Sequence, residues 1–396
     1  MDIKILTFTT LYPDSTRPAH GIFVENRLRH LLAGSAVRSR VVAPVPWFPL
    51  KGGSFGDYAR YAKVPGHEVW HGIEVAHPRY PLIPKVGMPA APWLMAVAVK
   101  GVLRQILYSG YDCDLIDAHY FYPDGVAAII LGRVLKKPVV ITARGTDLNL
   151  IPRYYLPRRM IQWAATNAAA LITVSRSLKD VLLRLGASGN KVTVLRNGVD
   201  LTQFRPPLDR DMLRRGLRLN GRTILAVGNL IPLKGHKLMI QALVNLPGVA
   251  LLIAGEGPER ARLDGIALSL GVADRVRFLG RIEHAVLADC YGAADALILA
   301  SSREGWPNVL LESMACGTPV VSTRVGGTAE MIAAPEAGLL VDKRSPEALT
   351  MAVEHLFANY PDRIATRRYA EQFSWEETTQ GQVRLFEEVL GRAKSS

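Results

Sequence analysis

Both halves of this chain run through the same alternation: a short β-rich apolar run, a longer stretch with helical periodicity, then another β-rich run. Such a pattern buries its apolar residues best as a parallel sheet whose strands are joined by helices packed on its faces. In the first half the strand runs are Ile3–Phe8, Ser39–Ala43, Leu115–Ala118, Val139–Thr142, Leu171–Val174 and Val192–Leu195. In the second they are Thr223–Val227, Ala250–Ala254, Val276–Leu279, Ala296–Ala300, Val320–Ser322 and Leu339–Val341. Helices are predicted over Phe23–Leu32, Gly125–Leu135, Lys234–Leu246, Glu259–Leu270 and Pro346–Ala358. Pro44–Pro92, rich in Pro, Gly and aromatics, reads as long loops, which in compact domains are often functional. A chain of 396 residues exceeds the usual ceiling for one core, so two α/β domains are expected, changing over near Asn197–Pro207. Loops at the C-terminal ends of parallel strands line ligand crevices, so two such sheets facing each other would form a cleft.

Composition narrows the class. No uninterrupted apolar run approaches the ~20 residues of a membrane span, and the N-terminal MDIKILTFTTLYPD reads as a first strand rather than a signal peptide. Cys113, Cys290 and Cys316 lack paired or metal-like spacing, which points to a reducing, cytoplasmic setting. CxxC, HExxH and GxSxG do not occur, weakening zinc-site and serine-hydrolase readings. Charge is uneven: residues 1–200 carry 25 Lys+Arg against 13 Asp+Glu, a net +12 of the chain's +13. That half is therefore expected to face something anionic, whether a membrane surface, an acceptor or nucleic acid, unless it is simply a basic solvated face.

The most specific segment is Glu304-Gly305-Trp306-Pro307-Asn308-Val309-Leu310-Leu311-Glu312, between the Ala296–Ala300 strand and Met314-Ala315-Cys316-Gly317-Thr318-Pro319. Pro307 fits a first helical turn, and the helix is expected to end near Ala315 with Gly317 as its stop. Open N–H groups at such a start suit an anion, with Glu304 at the mouth and Glu312 about two turns deeper. Lys234, after Ala226-Val227-Gly228-Asn229, sits at a helix start where it opposes the helix dipole, so a nearby anion would explain it better than stability does. Gly255-Glu256-Gly257 follows the next strand, as either a tight turn or a ligand loop. Neither place makes GxGxxG after a first strand, and no P-loop occurs. Gly326-Gly327-Thr328-Ala329-Glu330 offers glycines for close ligand approach, or Thr328 as a helix cap. In the first half, Gly21 follows strand one as a turn glycine or a phosphate approach. His119 ends a strand, and Arg144 and Asp147 share a rim as ligand contacts or as a local ion pair.

Together these residues resemble the family 4 glycosyltransferases, retaining enzymes of the GT-B fold with two Rossmann-like domains. The resemblance rests on EGWPNVLLE with SMACGTPVV, VGNLIPLKG, AGEGPE, GGTAEMI, RNGVDLTQF and FSWEE, in the family's order over nearly the whole chain. It implies an acceptor-side domain over 1–200, a donor domain over 201–374, and a closing helix from Trp375 to about 396 that packs back on the first. It further implies a nucleotide-sugar co-substrate, no metal or other cofactor, and Glu304, His119 and Lys234 as the catalytic set. The substrate-binding set would be Gly21, Arg144, Asp147, Asn229, Gly255, Gly305, Asn308, Val309, Leu310, Glu312 and Glu330. Within it Lys234 and the N–H groups of Asn308–Leu310 would hold the diphosphate, Glu304 the sugar hydroxyls and Glu312 the ribose. Two positions depart from the family: Asn229 stands where an arginine is common, and Arg144 where a histidine is. Arg144 is therefore expected to make up part of the missing diphosphate charge.

The function expected is sugar transfer to a lipid-linked or saccharide acceptor in cell-surface polysaccharide or glycolipid synthesis, in the cytoplasm. Peripheral contact with the anionic inner membrane face, through the basic first domain, is part of that expectation. The alternatives are a nucleotide-sugar 2-epimerase of the same fold and a non-catalytic two-domain sugar-binding protein. Nucleic-acid binding lacks an aromatic-interleaved basic motif.

Overall fold

The computed structural model describes residues 2–47, 60–82 and 87–395. The chain divides into two compact units, Met1–Asn197 with Glu376–Ser396, and Gly198–Trp375.

The first unit holds β1 (Ile3–Phe8), β2 (Val37–Val42), β3 (Val45–Trp47), β4 (His67–Trp70), β5 (Ile73–Ala76), β6 (Arg79–Pro81), β7 (Leu115–His119), β8 (Val139–Ala143), β9 (Ala170–Thr173) and β10 (Val192–Val194). Its main sheet runs β10-β9-β8-β7-β1-β2-β5-β4, with β3 and β6 paired separately. Every pairing in the main sheet is parallel except β4 with β5. The chain starts at β1, moves one way to β2, then returns and proceeds through β7, β8, β9 and β10. Right-handed crossovers therefore send the helix Ile22–Ala33 to one face and the helices Ala91–Tyr108, Val126–Leu135, Tyr155–Asn167 and Arg176–Arg184 to the other. The long final helix, Trp375–Ser395, joins the first face. Phe386 and Val389 are buried there with Val24, Leu28, Leu31, Ile5 and Ile172.

The second unit holds β11 (Thr223–Val227), β12 (Ala250–Ala254), β13 (Val276–Gly280), β14 (Ala296–Leu299), β15 (Val320–Thr323) and β16 (Gly338–Val341). All pair in parallel, in the order β13-β12-β11-β14-β15-β16. This is the doubly wound order 3-2-1-4-5-6, with its reversal between β11 and β14. Leu251, Ile253, Ala296 and Ile298 form the sheet side of its core, under Met239, Ile240, Leu263, Leu349 and Val353.

Three expectations need correction. Pro44–Pro92 is not a run of loops: it contains β3 to β6, although residues 48–59 and 83–86 lie outside the described residues. The β4–β5 hairpin turns on His71 and Gly72, both at positive φ (47° and 80°), the requirement of a type I′ turn. His-Gly is a weak sequence signal for that turn. The helix expected over Lys234–Leu246 is regular only over His236–Ala242, because Gly235 (φ 74°) stands at its start and a 3₁₀ turn at Leu243–Asn245 ends it. Finally, Met88–Tyr108 is long and apolar enough, by length and composition alone, to cross a membrane. Lys100 and Arg104 interrupt its apolar runs, and so hid it from a search for unbroken ones.

Because Phe386 is fully buried, Phe386→Ala should cost about 3–5 kcal/mol in the first unit. Thermal melts should show the first unit's transition lowered, while the exposed Glu388→Ala leaves it unchanged.

Candidate functional site

In the second unit the two strands flanking the reversal deliver the two charged residues singled out from the sequence. β11 leads through Gly228 and Asn229 into a 3₁₀ turn, Pro232–Lys234, and β14 leads into the loop carrying Glu304. Lys234 Nζ lies 2.7 Å from Glu304 Oε1, and Ser301 Oγ donates to the same oxygen at 2.6 Å. Both side chains are partly exposed, 22% for Lys234 and 12% for Glu304, so the pair stands at the surface of the switch point.

Glycines bring these loops together backbone to backbone. A Cβ on Gly255 would stand 2.0 Å from the Gly228 carbonyl oxygen, one on Gly235 2.2 Å from that of Ala300, and one on Gly326 2.0 Å from that of Glu304. Gly327 N–H donates to the Gly305 carbonyl at 3.0 Å, so the Gly326-Gly327 turn is seated on the Glu304 loop. The close approach at Gly255 and Gly326 is thus to protein backbone. Thr328 is not the cap of its helix: its hydroxyl accepts from Val325 N–H and donates to the Thr323 carbonyl. His236 Nε2 donates to the Asn229 carbonyl at 3.3 Å, pinning the loop before Lys234.

The helix Asn308–Ala315 begins after Pro307, which stands outside it as N-cap with no side-chain cap bond. Leu310 N–H, one of the three N–H groups expected to hold phosphate, donates to the Pro307 carbonyl at 3.0 Å inside the turn. Glu312 is buried. Its Oε2 accepts from Tyr291 Oη at 2.7 Å, and its Oε1 lies 3.2 Å from His284 Nε2. Phe204 stands edge-on to both His284 and Tyr291, with centroids 5.0 and 5.9 Å away. Burial and the Glu312 charge push the Tyr291 phenol well up, so it stays a donor. The sequence reading missed His284 and Tyr291. Their i, i+7 spacing on one helix face was the available signal.

In the first unit the reversal lies between β1 and β7. Gly21, at φ 68°, closes on the chain after β1: a Cβ there would stand 2.2 Å from the Leu11 carbonyl carbon. The turn alone therefore requires glycine. His119, at the end of β7, is 1% exposed and held through both ring nitrogens. Arg144 Nη2 donates to Nδ1 at 2.6 Å, which leaves Nε2 to donate to Asp117 Oδ2 at 3.3 Å. Arg144 Nη1 donates to Asn197 Oδ1 at 3.2 Å. Asp117 Oδ2 also accepts from Gln382 at 3.0 Å, and Gln382 accepts from Arg27 Nε at 2.8 Å. Burial pushes His119 down to about 4, with Arg144 adding to the effect and Asp117 opposing it. Burial alone would raise Asp117, but His119, Arg27 and Arg144 hold it below the ordinary carboxylate range.

One reading changes here: Arg144 and Asp147 are not a side-chain ion pair, because Asp147 accepts from the backbone N–H of Phe121, Arg144 and Gly145. The Arg144 guanidinium donates to His119 and Asn197 within the first unit. Thus the structure joins Lys234 to Glu304, Gly305 to the Gly326 turn, Gly255 to the Asn229 loop, and His119 to Arg144. Glu330 lies in the short helix Thr328–Met331 after that turn. Arg27, Asp117, Asn197 and Gln382 were not anticipated. Arg27 and Gln382 are 355 residues apart, and no local pattern marks them.

Two parallel-sheet units of this order are the GT-B architecture. The chain superposes on sucrose-phosphate synthase from Thermosynechococcus elongatus with a TM-score of 0.80 at 20% identity, covering 99% of this chain and 100% of that one. It matches Anabaena HepE in complex with UDP-glucose with a TM-score of 0.71 at 19% identity, covering both chains fully. Residues 209–373 match the family described as glycosyl transferases group 1, and residues 29–203 the one described as glycosyltransferase family 4. A D-inositol 3-phosphate glycosyltransferase of Corynebacterium urealyticum (strain ATCC 43042 / DSM 7109) is 30% identical over 322 residues, 74% of this chain and 76% of that protein. The chain belongs to the family 4 glycosyltransferases.

The buried histidines set a pH dependence. Burial pushes His119 and His236 down to about 4 each. An unfolded histidine titrates near ~6.5, so between that pH and 4 the unfolded chain binds more protons and stability falls as pH drops. Asp124, pushed up to about 8 by burial, acts in the opposite sense, losing stability as pH rises toward 8. The difference between variants isolates one group: in urea melts, His119→Gln should lose less stability than wild type as pH falls through that histidine window.

Proposed function

We propose that this glycosyltransferase moves a sugar, with retained anomeric configuration, from a nucleotide-sugar donor to a lipid-linked or saccharide acceptor. The setting proposed is cell-surface polysaccharide or glycolipid synthesis at the cytoplasmic side of the membrane. The observation that carries the reading is the Lys234–Glu304 pair at the switch point of the second sheet. Open α/β sheets bind ligands there, and an ammonium beside a carboxylate suits a ligand with both phosphate and hydroxyls. The family resemblance assigns the same two residues to diphosphate and sugar. Support for the setting comes from a relative in Bacillus subtilis (strain 168), provisionally assigned as the teichuronic acid biosynthesis glycosyltransferase TuaC, 28% identical over 89% of this chain and 88% of that protein.

In this reading the bond from the sugar C1 to the diphosphate oxygen breaks, and the electron pair leaves with the diphosphate. An acceptor hydroxyl oxygen bonds to C1 on the same face, and its proton passes to the departing phosphate oxygen. Lys234 meets the charge that develops, and the first turn of Asn308–Ala315 adds its N–H dipoles. No added metal is needed for that role. Glu304 accepts from sugar hydroxyls. Glu312 has lone pairs left for ribose hydroxyls while Tyr291 and His284 fix its orientation.

Nucleoside diphosphate release, measured with and without acceptor, tests the reading. Acceptor-dependent release that survives EDTA is expected. Lys234→Ala should lower kcat/KM roughly 10²–10³-fold, the scale of losing one charge-stabilising group. Glu312→Gln should mainly raise donor KM. Donor turnover indifferent to acceptor would replace transferase with epimerase, and binding without turnover would leave a sugar-binding protein.

A further inference from the structure

The reversal of the first sheet, between β1 and β7, is bridged by one residue from each side. Thr10 follows β1, and Asp124 lies in the turn after β7. Thr10 N–H donates to Asp124 Oδ1 at 2.8 Å, and its hydroxyl donates to Oδ2 at 3.0 Å. Asp124 is fully buried, so this pair of bonds fastens the two loops together where open parallel sheets take their ligands. The Thr10 carbonyl in turn lies 2.9 Å from His20 Nε2. A carbonyl oxygen can only accept, so Nε2 carries the proton and the neutral ring keeps its lone pair on Nδ1.

The ring is also held from its own loop. His20 N–H donates to the Arg17 carbonyl at 3.0 Å. Arg17 is fastened to Asp14 through its backbone N–H at 2.9 Å and its guanidinium at 2.6 Å. Gly21, which closes on Leu11, follows directly in the chain. Among the described residues Nδ1 finds no partner, yet it is not buried, so solvent reaches it. Burial of the ring and the Arg17 charge push its pKa down, against the Thr10 bond and Asp14, so the imidazole is neutral at neutral pH. Nδ1 is then an acceptor held in a fixed direction. A phosphate oxygen has no hydrogen to offer it, and a sugar hydroxyl does.

We propose that His20 binds the acceptor, its Nδ1 taking a hydrogen bond from a hydroxyl of the saccharide that receives the transferred sugar. That hydroxyl is not the reacting one, whose proton goes to the departing phosphate. The proposal rests on the transferase reading above and extends it to the other substrate: Lys234, Glu304 and Glu312, which that reading gives to the donor, all belong to the second unit.

The test uses the full chain, isotope-labelled at its histidine nitrogens, with the methyl glycosides of glucose, galactose, mannose and N-acetylglucosamine as acceptor probes. The His20 resonances, assigned by their loss in His20→Gln, should show Nε2 protonated and Nδ1 bare near neutral pH. At least one glycoside should move Nδ1 toward the hydrogen-bonded range, and UDP alone should leave it in place. Gln keeps an N–H for the Thr10 carbonyl and lacks the ring's Nδ1 lone pair, so the variant should keep the wild-type melting temperature. With UDP-glucose as donor probe, UDP release by the variant should show acceptor KM raised roughly fivefold, the scale of one neutral hydrogen bond, with kcat and donor KM unchanged. In wild type, acceptor KM should rise as pH falls below ~6.5, where Nδ1 gains a proton, and His20→Gln should lack that rise. The charged and titratable groups around the ring, Asp14, Arg17 and Asp124, are common to both proteins, so the difference belongs to His20. A proton on Nδ1 near neutral pH, an Nδ1 resonance that no glycoside moves, or wild-type acceptor KM in His20→Gln would each overturn the proposal. So would a rise confined to donor KM. Absence of UDP release by the wild type would count against the transferase reading, while the resonance shift still decides whether His20 binds a saccharide.

Discussion

Where strand order reverses in a parallel sheet, the two flanking crossovers leave toward opposite faces and their first turns part. The gap exists in any sequence that adopts this order, so what distinguishes one protein from another is what its loops put there. Here the second unit sends Lys234 from β11 and Glu304 from β14, and they meet at 2.7 Å across the gap. Besides the His236 bond to the Asn229 carbonyl, these loops are set by carbonyl oxygens lying within about 2 Å of where side chains on Gly235, Gly255 and Gly326 would begin. A methyl group at any of the three would have to displace backbone and would strain a positive φ as well. The geometry of the charged pair therefore depends on close backbone approach at three glycines.

The first unit resolves the same gap differently. Arg27 and Arg144 are both buried beside the buried carboxylate of Asp117, with that of Asp147 acting on Arg144 as well. Burial, with the Arg144 and Arg27 charges beside it, keeps His119 in its neutral form. That neutrality fixes its tautomer, with Nδ1 accepting from Arg144 and Nε2–H turned to Asp117. Gln382 completes the arrangement by donating to Asp117 and accepting from Arg27, so the final helix contributes polar order as well as apolar packing. A buried group of this kind is costly if any member is missing.

Most of the sheet framework was legible because fully buried parallel strands read as short apolar runs. Ile3–Phe8, Thr223–Val227 and Ala250–Ala254 agree with the sequence reading at both ends. The Lys234–Glu304 site was legible as two separate residues at strand ends, and its pairing across 70 positions was not. What escaped follows a physical pattern. The β4–β5 hairpin turns on His71-Gly72, a pair without the usual side-chain signature. His284 and Tyr291 act on Glu312 from a neighbouring helix, so nothing near Glu312 in the chain announces them. Asp147 looked like an ion-pair partner because Arg144 is three residues away, yet three backbone N–H groups outcompete the guanidinium for its oxygens.

The charge asymmetry shows most plainly what structure adds to composition. The sequence places a net +12 in the first half without saying where on the fold it lies. Crossover handedness sorts it. Every helix made while the chain advances from β7 to β10 falls on one face, as does Ala91–Tyr108, which leads into β7 and packs on Val126–Leu135. Of the acids in the segment 75–179, Asp117, Asp124 and Asp147 are buried at strand ends and turns, while Asp112, in the turn before β7, is exposed and pairs with Lys137. A basic excess spread evenly over a domain mainly sets solubility. Here much of that excess is collected on one helical layer beside exposed Trp93, Tyr154 and Tyr155, a distribution that composition alone does not reveal.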